Sequence, residues 1–152
     1  MIALKESIEI RAAPQKVFDW FRHLDKNYVS WHRDHVKWTF EGGLREGERC
    51  QYEEVLHGDL HRVNAVLTRV VDDRMIEFRN TFPMSFLCPR GSFAFEQVGD
   101  KTLFTATLFF RAGRLFRTLA RRRVEAVIHH MKEESQNLKQ ILEGVEGRPQ
   151  QK

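Results

Sequence analysis

Four polar side chains in three parts of the sequence have the chemistry of a metal site. His35 closes a His-Arg-Asp-His segment that begins at His32, Glu54 follows in an alternating segment, and His130 and Glu134 lie near the end of the chain. Imidazole nitrogens and carboxylate oxygens are ligands that zinc accepts, and zinc activates water at neutral pH. Brought onto one cavity from a sheet and a helix, this set, with His32 as an alternative ligand, would suit zinc.

Each part of this set also has a simpler interpretation. Two histidines three residues apart can be ordinary polar residues at a helix end, and one such pair is weak evidence for a metal. His130 and Glu134 are four residues apart, hence neighbours on a helix, at a cavity rim or in a surface pair. Their neighbours His129 and Glu133 are predicted to point into solvent.

Alternation in the predicted strands places two polar side chains, Glu54 and His61, on inward faces. Glu54 shares its face with Tyr52 and other apolar residues, so burial or a partner cation should shift the pKa of its carboxyl group. His61 is in phase with an apolar run that begins at Val63, so it is predicted to point the same way.

The segment from Thr81 to Pro89 is too apolar for an ordinary exposed loop. It is predicted either to cover the mouth of a cavity or to pack on the domain as an irregular hairpin, and Trp38 nearby either lines that cavity or belongs to the core. The side chains predicted to contact a ligand are Trp38, Tyr52, Glu54, His61, Phe82, Met84, Phe86, Val127 and Met131.

The elements that would position these groups are those of an α+β domain. Residues 2–11 alternate as a strand, Ala13-Pro14 opens a helix, and a shorter helical segment covers about 26–31. Period-two alternation then begins at His35, which is predicted to face away from Val36 and Trp38. This strand ends before Gly42, and further strands are predicted near 48–57, 60–71, 74–80, 90–98 and 101–110.

The last element, about 114–143, is predicted to be a long helix with one apolar stripe centred on Met131. The order strand, helix, short helix, six strands and long helix predicts a curved antiparallel sheet of about seven strands wrapped around that helix. Such a sheet cannot close fully on one helix, so a cavity should form between them. We expect one domain over residues 1–143 and a flexible tail at 144–152.

Three stretches in this order suggest a family. They are IEIRAAPQKVFDWF from Ile8, GSFAFEQVGDKT from Gly91 and EESQNLKQILE from Glu133. Together they resemble the START-like, Bet v 1-like (SRPBCC) superfamily, which includes the polyketide cyclase/dehydrase and lipid-transport group. The resemblance implies a helix-grip fold with a cavity. It does not imply one activity, since the superfamily contains ligand carriers, cyclases, hydrolases and co-chaperone modules.

Binding of a small hydrophobic or aromatic ligand, polyketide-like or lipid-like, is the function that the resemblance favours. The alternative is a metal-dependent hydrolase or cyclase/dehydratase that uses the His/Glu set on an aromatic or polyketide substrate. That set is similar in kind to the site of the metal-dependent phloretin and diacetylphloroglucinol hydrolases, a branch of the same superfamily. A third hypothesis is an interaction module that presents its arginine-rich helix to an acidic partner or a membrane surface.

Composition narrows the remaining classes. The net charge is +4, and six arginines lie between Arg111 and Arg123, where a solvated helix face is the simplest explanation. Nucleic-acid binding would require aromatic residues on that same exposed face, whereas Phe116 is predicted on the buried side, so no nucleic-acid partner is expected.

Cys50 and Cys88 lack the spacing of a metal pair or a disulfide framework. With no signal peptide or membrane span in the sequence, we expect a cytoplasmic protein with reduced thiols; its oligomeric state is left open.

Overall fold

A computed structural model describes residues 1–56, 58–111, 118 and 121–144. The strands in these residues are β1 (Ile2–Ile10), β2 (His35–Phe40), β3 (Arg49–Leu56), β4 (Asp59–Val71), β5 (Met75–Asn80), β6 (Arg90–Val98) and β7 (Lys101–Phe110). The helices are α1 (Pro14–Arg22), α2 (Leu24–Trp31), α3 (Met84–Leu87) and α4 (Arg121–Glu143).

All seven strands form one antiparallel sheet in the order β1-β7-β6-β5-β4-β3-β2. Strands β2 to β7 pair with their neighbours in sequence because short turns connect most of them. In the three shortest of these turns a residue has positive φ: Gly58 at +82°, Asp73 at +64° and Gly99 at +63°. The first strand pairs with β7 across the chain, in register from Ile2 opposite Phe110 to Ile10 opposite Thr102. The sheet and α4 confirm the predicted α+β helix-grip fold.

The core lies between the inner face of the sheet and the two short helices α1 and α2. Phe21 of α1 is fully buried and contacts aromatic rings from α2, β6 and β7, with centroid distances of 5.4 Å to Trp31, 5.3 Å to Phe95 and 5.6 Å to Phe104. Aromatic rings bury large apolar areas, so this cluster fixes α1 and α2 against one half of the sheet.

Helix α4 lies across the open side of the sheet. Its backbone approaches mainly β1 and α2, and Leu138 and Leu142 in its second half are buried. Lysines hold its C-terminal end: Lys16 Nζ donates to the Leu142 carbonyl at 3.1 Å, and Lys139 Nζ donates to the Glu9 carbonyl at 2.8 Å. The first half of α4 is less buried, with Val124 and Val127 only half-buried.

The structure corrects one part of the predicted alternation. A register shift between His35 and Lys37 marks a β-bulge in β2, which leaves Val36 exposed and His35 buried beside Trp38. His35 was predicted on the opposite face from Trp38, and that prediction was wrong because the bulge adds one residue to the strand. The short helix α3 within the Thr81–Pro89 segment was not predicted.

Other predictions fall at the edges of the described residues. The predicted start of the last helix at 114 lies outside them, and so does the tail predicted at 144–152, apart from Gly144. Within them, no helix is both long and apolar enough to span a membrane.

Gly91 provides a test of how closely the sheet is packed. A Cβ at this position would lie 2.5 Å from Cζ of Phe78 and 2.9 Å from Cδ2 of Leu108, both inside the domain. We expect Gly91→Ala to lower the free energy of unfolding by about 1–3 kcal/mol through overpacking, measured by urea denaturation. The control is Gly42→Ala, where the added Cβ meets only the flexible carboxylate end of Glu48. Equal stability of the two variants would contradict this view of the packing.

Candidate functional site

The turn that joins α2 to β2 places His35 inside the domain. Tyr28, one turn before the end of α2, stacks on the His35 ring with 3.9 Å between centroids and an interplanar angle of 6°. His35 Nδ1 donates to the Tyr28 carbonyl at 2.9 Å. Because a carbonyl can only accept, Nδ1 carries a proton, and Nε2 is the ring nitrogen that points toward the other side chains of the site.

Helix α4 reaches the same place because α2 fixes its register. Trp31 Nε1 donates to the Glu134 carbonyl at 2.9 Å, and Asn137 Nδ2 donates back to the Trp31 carbonyl at 2.9 Å. Both bonds are shielded from water, where unpaired polar groups are costly. This reciprocal pair fixes the position of α4 along its axis relative to α2. It thereby determines where the side chains of His130 and Glu134 meet the sheet.

Four side chains meet at this point, and we call them the donor cluster: His35, Glu54, His130 and Glu134. His35 Nε2 lies 3.2 Å from Glu134 Oε2, and His130 Nε2 lies 3.3 Å from Glu134 Oε1. His130 Nε2 is also 3.8 Å from Glu54 Oε2. The structure therefore brings together the four residues that the sequence singled out as one set.

Two nitrogens of the donor cluster lack hydrogen bonds. His35 Nε2 and His130 Nε2 are buried, and neither has a hydrogen-bond partner although carboxylate oxygens are close. Ligand atoms bound tetrahedrally to zinc at about 2.0–2.1 Å are about 3.3–3.4 Å apart. The distances of 3.2 and 3.3 Å are close to this spacing but end on different oxygens of Glu134, and 3.8 Å is longer. By the chemistry of its nitrogen and oxygen donors, the set suits a small divalent cation such as zinc.

His32 is close to this cluster but has a different hydrogen-bond pattern. One ligand nitrogen from each of His32, His35 and His130 lies within 4.8 Å of the others. However, His32 Nδ1 accepts from the Asp34 backbone N–H at 3.0 Å, so the ring proton lies on Nε2, which is 3.3 Å from Glu133 Oε1. Both nitrogens of His32 therefore have partners. The residue links the α2–β2 turn to α4 and is less suited to bind a metal.

Glu133 differs from its predicted position. It was predicted to point into solvent, but its side chain is only 19% exposed and lies against His32. His32, in the turn between α2 and β2, covers this side of α4. Helical periodicity alone cannot reveal such a contact from a distant part of the chain. His129, by contrast, is 76% exposed, as predicted.

Burial and charge act against each other in the two carboxylates. Burial raises the pKa of Glu54, and the nearby His130 and His35 only partly offset this effect. Burial also acts to raise the pKa of Glu134, but His130 and the contact with His35 outweigh it, so this pKa is lowered. Glu134 is thus the carboxylate that the surrounding histidines hold in its charged form.

An aromatic wall continues from the donor cluster along the sheet. The rings of Trp38 and Tyr52 are stacked, with 5.1 Å between centroids, and Tyr28 lies 5.3 Å from Trp38. Burial, followed by the charge of Glu54, raises the pKa of Tyr28, whose hydroxyl donates to Glu54 Oε2 at 3.4 Å. Trp38 Nε1 is buried with no hydrogen-bond partner. The wall therefore offers apolar surface and one unused donor next to the cluster.

The remaining residues of the predicted ligand set divide into two groups. His61 lies directly opposite Glu54 in the β3–β4 register and is half-buried on the inner face, while Met131 is buried and Val127 half-buried on α4. The second group is on the Thr81–Pro89 segment, where Met84 is half-buried but Phe82 and Phe86 are 80% and 79% exposed. In this structure, Phe82 and Phe86 do not point into the domain.

Several residues that complete the site were missed by reasoning from the sequence. Tyr28 was placed in a short helix without a role, Asn80 at the end of a strand, and Asp34 in a turn. Yet Asn80 is buried and accepts from the Tyr52 hydroxyl at 3.1 Å, and Asp34 Oδ2 lies 3.9 Å from His130 Nδ1. The spacing of Tyr28 and His35 gave no signal, because α2 ends at Trp31 and no helical periodicity relates the two residues.

Comparison with protein-family models gives one match, to "Polyketide cyclase / dehydrase and lipid transport", over residues 1–143. This range contains every member of the donor cluster. A comparison with curated proteins found no match.

Solved structures of similar fold are distant in sequence. TTHA0849 from Thermus thermophilus is 18% identical with a TM-score of 0.71, over 96% of this chain and all of that one. The Zhui aromatase/cyclase from Streptomyces sp. R1128 is 14% identical with a TM-score of 0.73, over 93% of both chains. The di-domain aromatase/cyclase StfQ of the steffimycin pathway is 12% identical with a TM-score of 0.74, over 94% of this chain and 50% of that one. At these identities the likeness establishes the fold.

Asn137 allows the link between α2 and α4 to be tested. Replacing it by alanine leaves the Trp31 carbonyl buried without its donor, so we expect Asn137→Ala to lower the free energy of unfolding by about 1–3 kcal/mol in urea denaturation. The exposed Gln136, one residue earlier on the same helix, is the matched control, and Gln136→Ala should change it by less than about 0.5 kcal/mol. If both variants are as stable as the wild type, the link does not hold α4 in register.

Proposed function

Because the chain belongs to the polyketide cyclase/dehydrase and lipid transport family, we propose that it binds a small hydrophobic or aromatic molecule between the sheet and α4. We further propose that the donor cluster holds zinc and that the protein is a metal-dependent hydrolase of an aromatic or polyketide substrate. A cyclase or dehydratase using the same site is the nearest variant of this proposal.

The two buried histidine nitrogens that have no hydrogen bond carry this proposal. A buried nitrogen without a hydrogen bond is costly, and here two of them lie 3.2 and 3.3 Å from the oxygens of one carboxylate, Glu134. A divalent cation removes that cost because it accepts both lone pairs and balances the charge of Glu134 and Glu54. The fixed tautomer of His35, set by the Tyr28 carbonyl, is the arrangement that a metal-binding histidine needs.

When bound, zinc lowers the pKa of a coordinated water molecule and polarises a carbonyl oxygen. The chain itself would supply the other parts of the reaction. The wall of Tyr28, Trp38 and Tyr52 would orient an aromatic ring beside the donor cluster, and the unused Trp38 N–H would donate to an oxygen of the substrate. Catalysis would require Glu54, the most distant member of the donor cluster, to leave its ligand position to water; its raised pKa and its bond from Tyr28 then suit it to move a proton between substrate and site.

Ligand carriage without chemistry is the second candidate, and the half-buried inner side chains favour it. Val124 and Val127 on α4 are only half-buried, as are Phe93, Ala106 and Leu108 on the sheet, which pack against the edge of the core. Partly buried apolar side chains on a helix and a sheet are the kind of surface that lines a ligand pocket. Two surface depressions of about 470 and 640 Å³ do not border these residues, so the cavity between sheet and helix stays a prediction. The cytoplasmic location also stays a prediction.

Metal analysis of protein purified without a histidine tag tests the metal centre. We expect about one zinc per chain by the ligand count of the cluster, and its loss in His130→Ala. Removal by a chelator should lower the melting temperature, since a metal at 100 times its Kd stabilises the native state by about 2.7 kcal/mol.

The neighbouring histidine on the same helix is the control for this experiment. His129 is largely exposed, so His129→Ala should keep the metal and the melting temperature of the wild type. Metal-free wild-type protein after growth and dialysis in zinc, or a His130→Ala protein that still holds one equivalent, would refute the metal centre while leaving ligand carriage open.

Binding of the fluorescent apolar probe 1-anilinonaphthalene-8-sulfonate tests the space between sheet and helix. We expect saturable binding to the folded protein and a loss of at least about tenfold in affinity in Val127→Trp, which fills that space. Glu125→Gln, at an exposed position on the same helix, is the control and should bind as the wild type does. Circular dichroism confirms that both variants fold. Equal binding by Val127→Trp would place the probe elsewhere.

A further inference from the structure

The segment between β5 and β6 exposes two phenylalanines. Phe82 and Phe86, at the two ends of a short stretch that includes most of α3, have 80% and 79% of their surface in contact with solvent. Single exposed apolar residues are normal, but two aromatic rings four residues apart on one protruding segment form a patch. The hydrophobic effect favours a partner that covers them.

Arginines surround the base of the same segment. Arg79 and Arg90, its two stems, lie directly opposite each other in the β5–β6 register, and both side chains are exposed. A third, Arg111, is held there because its backbone N–H donates to the Leu87 carbonyl at 2.9 Å. Like charges directly opposite each other in a sheet are destabilising, so an anion in contact with both arginines would relieve the repulsion.

Acidic residues do not neutralise this positive charge locally. Across the described residues, the arginines in ion pairs are others: Arg11, Arg22, Arg62 and Arg121. The sequence has no aspartate or glutamate between residues 79 and 95 or between 101 and 124. The patch therefore combines exposed aromatic rings with three arginines that form no ion pair in the described residues; the nearest carboxylate in sequence is Glu77, two residues before Arg79 on β5.

We propose that this Phe/Arg surface, formed by Phe82, Phe86, Arg79, Arg90 and Arg111, binds the surface of an anionic lipid bilayer. Aromatic rings enter the interfacial region of a bilayer, and arginines beside them contact lipid phosphates. An acidic soluble partner would satisfy the arginines but leave the two rings without an apolar environment. An apolar protein groove would cover the rings but offer no anion to the arginines, of which Arg90 already lies over the ring of Phe109 at 4.1 Å. The bilayer interface satisfies both, and this attachment does not depend on the metal centre.

Vesicle flotation tests the proposal with the full chain. The probes are vesicles of phosphatidylcholine alone and of phosphatidylcholine mixed with phosphatidylglycerol. We expect binding to the mixed vesicles that weakens as salt rises, because surface charges are screened. The double variant Phe82→Ser/Phe86→Ser should bind at least about tenfold more weakly, and Arg79→Gln/Arg90→Gln should lose about as much.

Exposed apolar residues on α2 and β2 provide the control. Val29 and Val36 are 40% and 39% exposed, and Val29→Ser/Val36→Ser should bind as the wild type does. Circular dichroism checks that each variant folds, and gel filtration reports its oligomeric state. Three results would overturn the proposal: no binding of the wild type to the mixed vesicles, equal loss in the control variant, or Phe82/Phe86 variants that change only the oligomeric state.

Discussion

The carboxylate of Glu134, held between two buried imidazole nitrogens, is the interaction on which the rest of the site depends. A carboxylate inside a protein loses its hydration and must be compensated by charge or hydrogen bonds. Here His35 and His130 approach its two oxygens at 3.2 and 3.3 Å, and their influence outweighs the burial that would otherwise raise its pKa. Neither nitrogen has a hydrogen bond in return, and the proposed metal centre rests on this observation.

Three separate features of the fold bring the side chains of His35 and Glu134 together. The bulge in β2 turns His35 inward. Stacking on Tyr28 orients its ring, and the bond to the Tyr28 carbonyl places a proton on Nδ1. The bonds between Trp31 and α4 fix the position of Glu134. None of these three features is needed to form the sheet. Their joint effect is a polar cluster at one end of an otherwise apolar interior, which is how binding sites usually differ from core.

The aromatic wall and the donor cluster are continuous, and this continuity links the two proposed functions. A ligand lying on Trp38 and Tyr52 would have its end close to Glu54 and His130. Carriage requires only the wall, whereas hydrolysis requires the cluster as well. The same fold can therefore host either function, and the occupancy of the cluster decides between them.

Much of the fold was predictable from the sequence, because it rests on local periodicity. Alternation defined the strands, and the Ala13-Pro14 start defined α1. The composition of the donor cluster was also predictable, since His130 and Glu134 share a helix flank and Glu54 shares a face with Tyr52. What could not be predicted arises from tertiary structure: the bulge at Val36 that reorients His35, the burial of Glu133 under the His32 turn, and the outward orientation of Phe82 and Phe86.

X-ray absorption spectroscopy at the zinc edge of the purified, zinc-loaded protein tests the central claim most directly. We expect a first shell of nitrogen and oxygen only, at about 2.0–2.1 Å, with the multiple-scattering pattern of two imidazole rings. A sulfur shell at about 2.3 Å, which would implicate Cys50 or Cys88, or a shell of water oxygens without imidazole, would contradict a metal centre formed by His35, Glu54, His130 and Glu134.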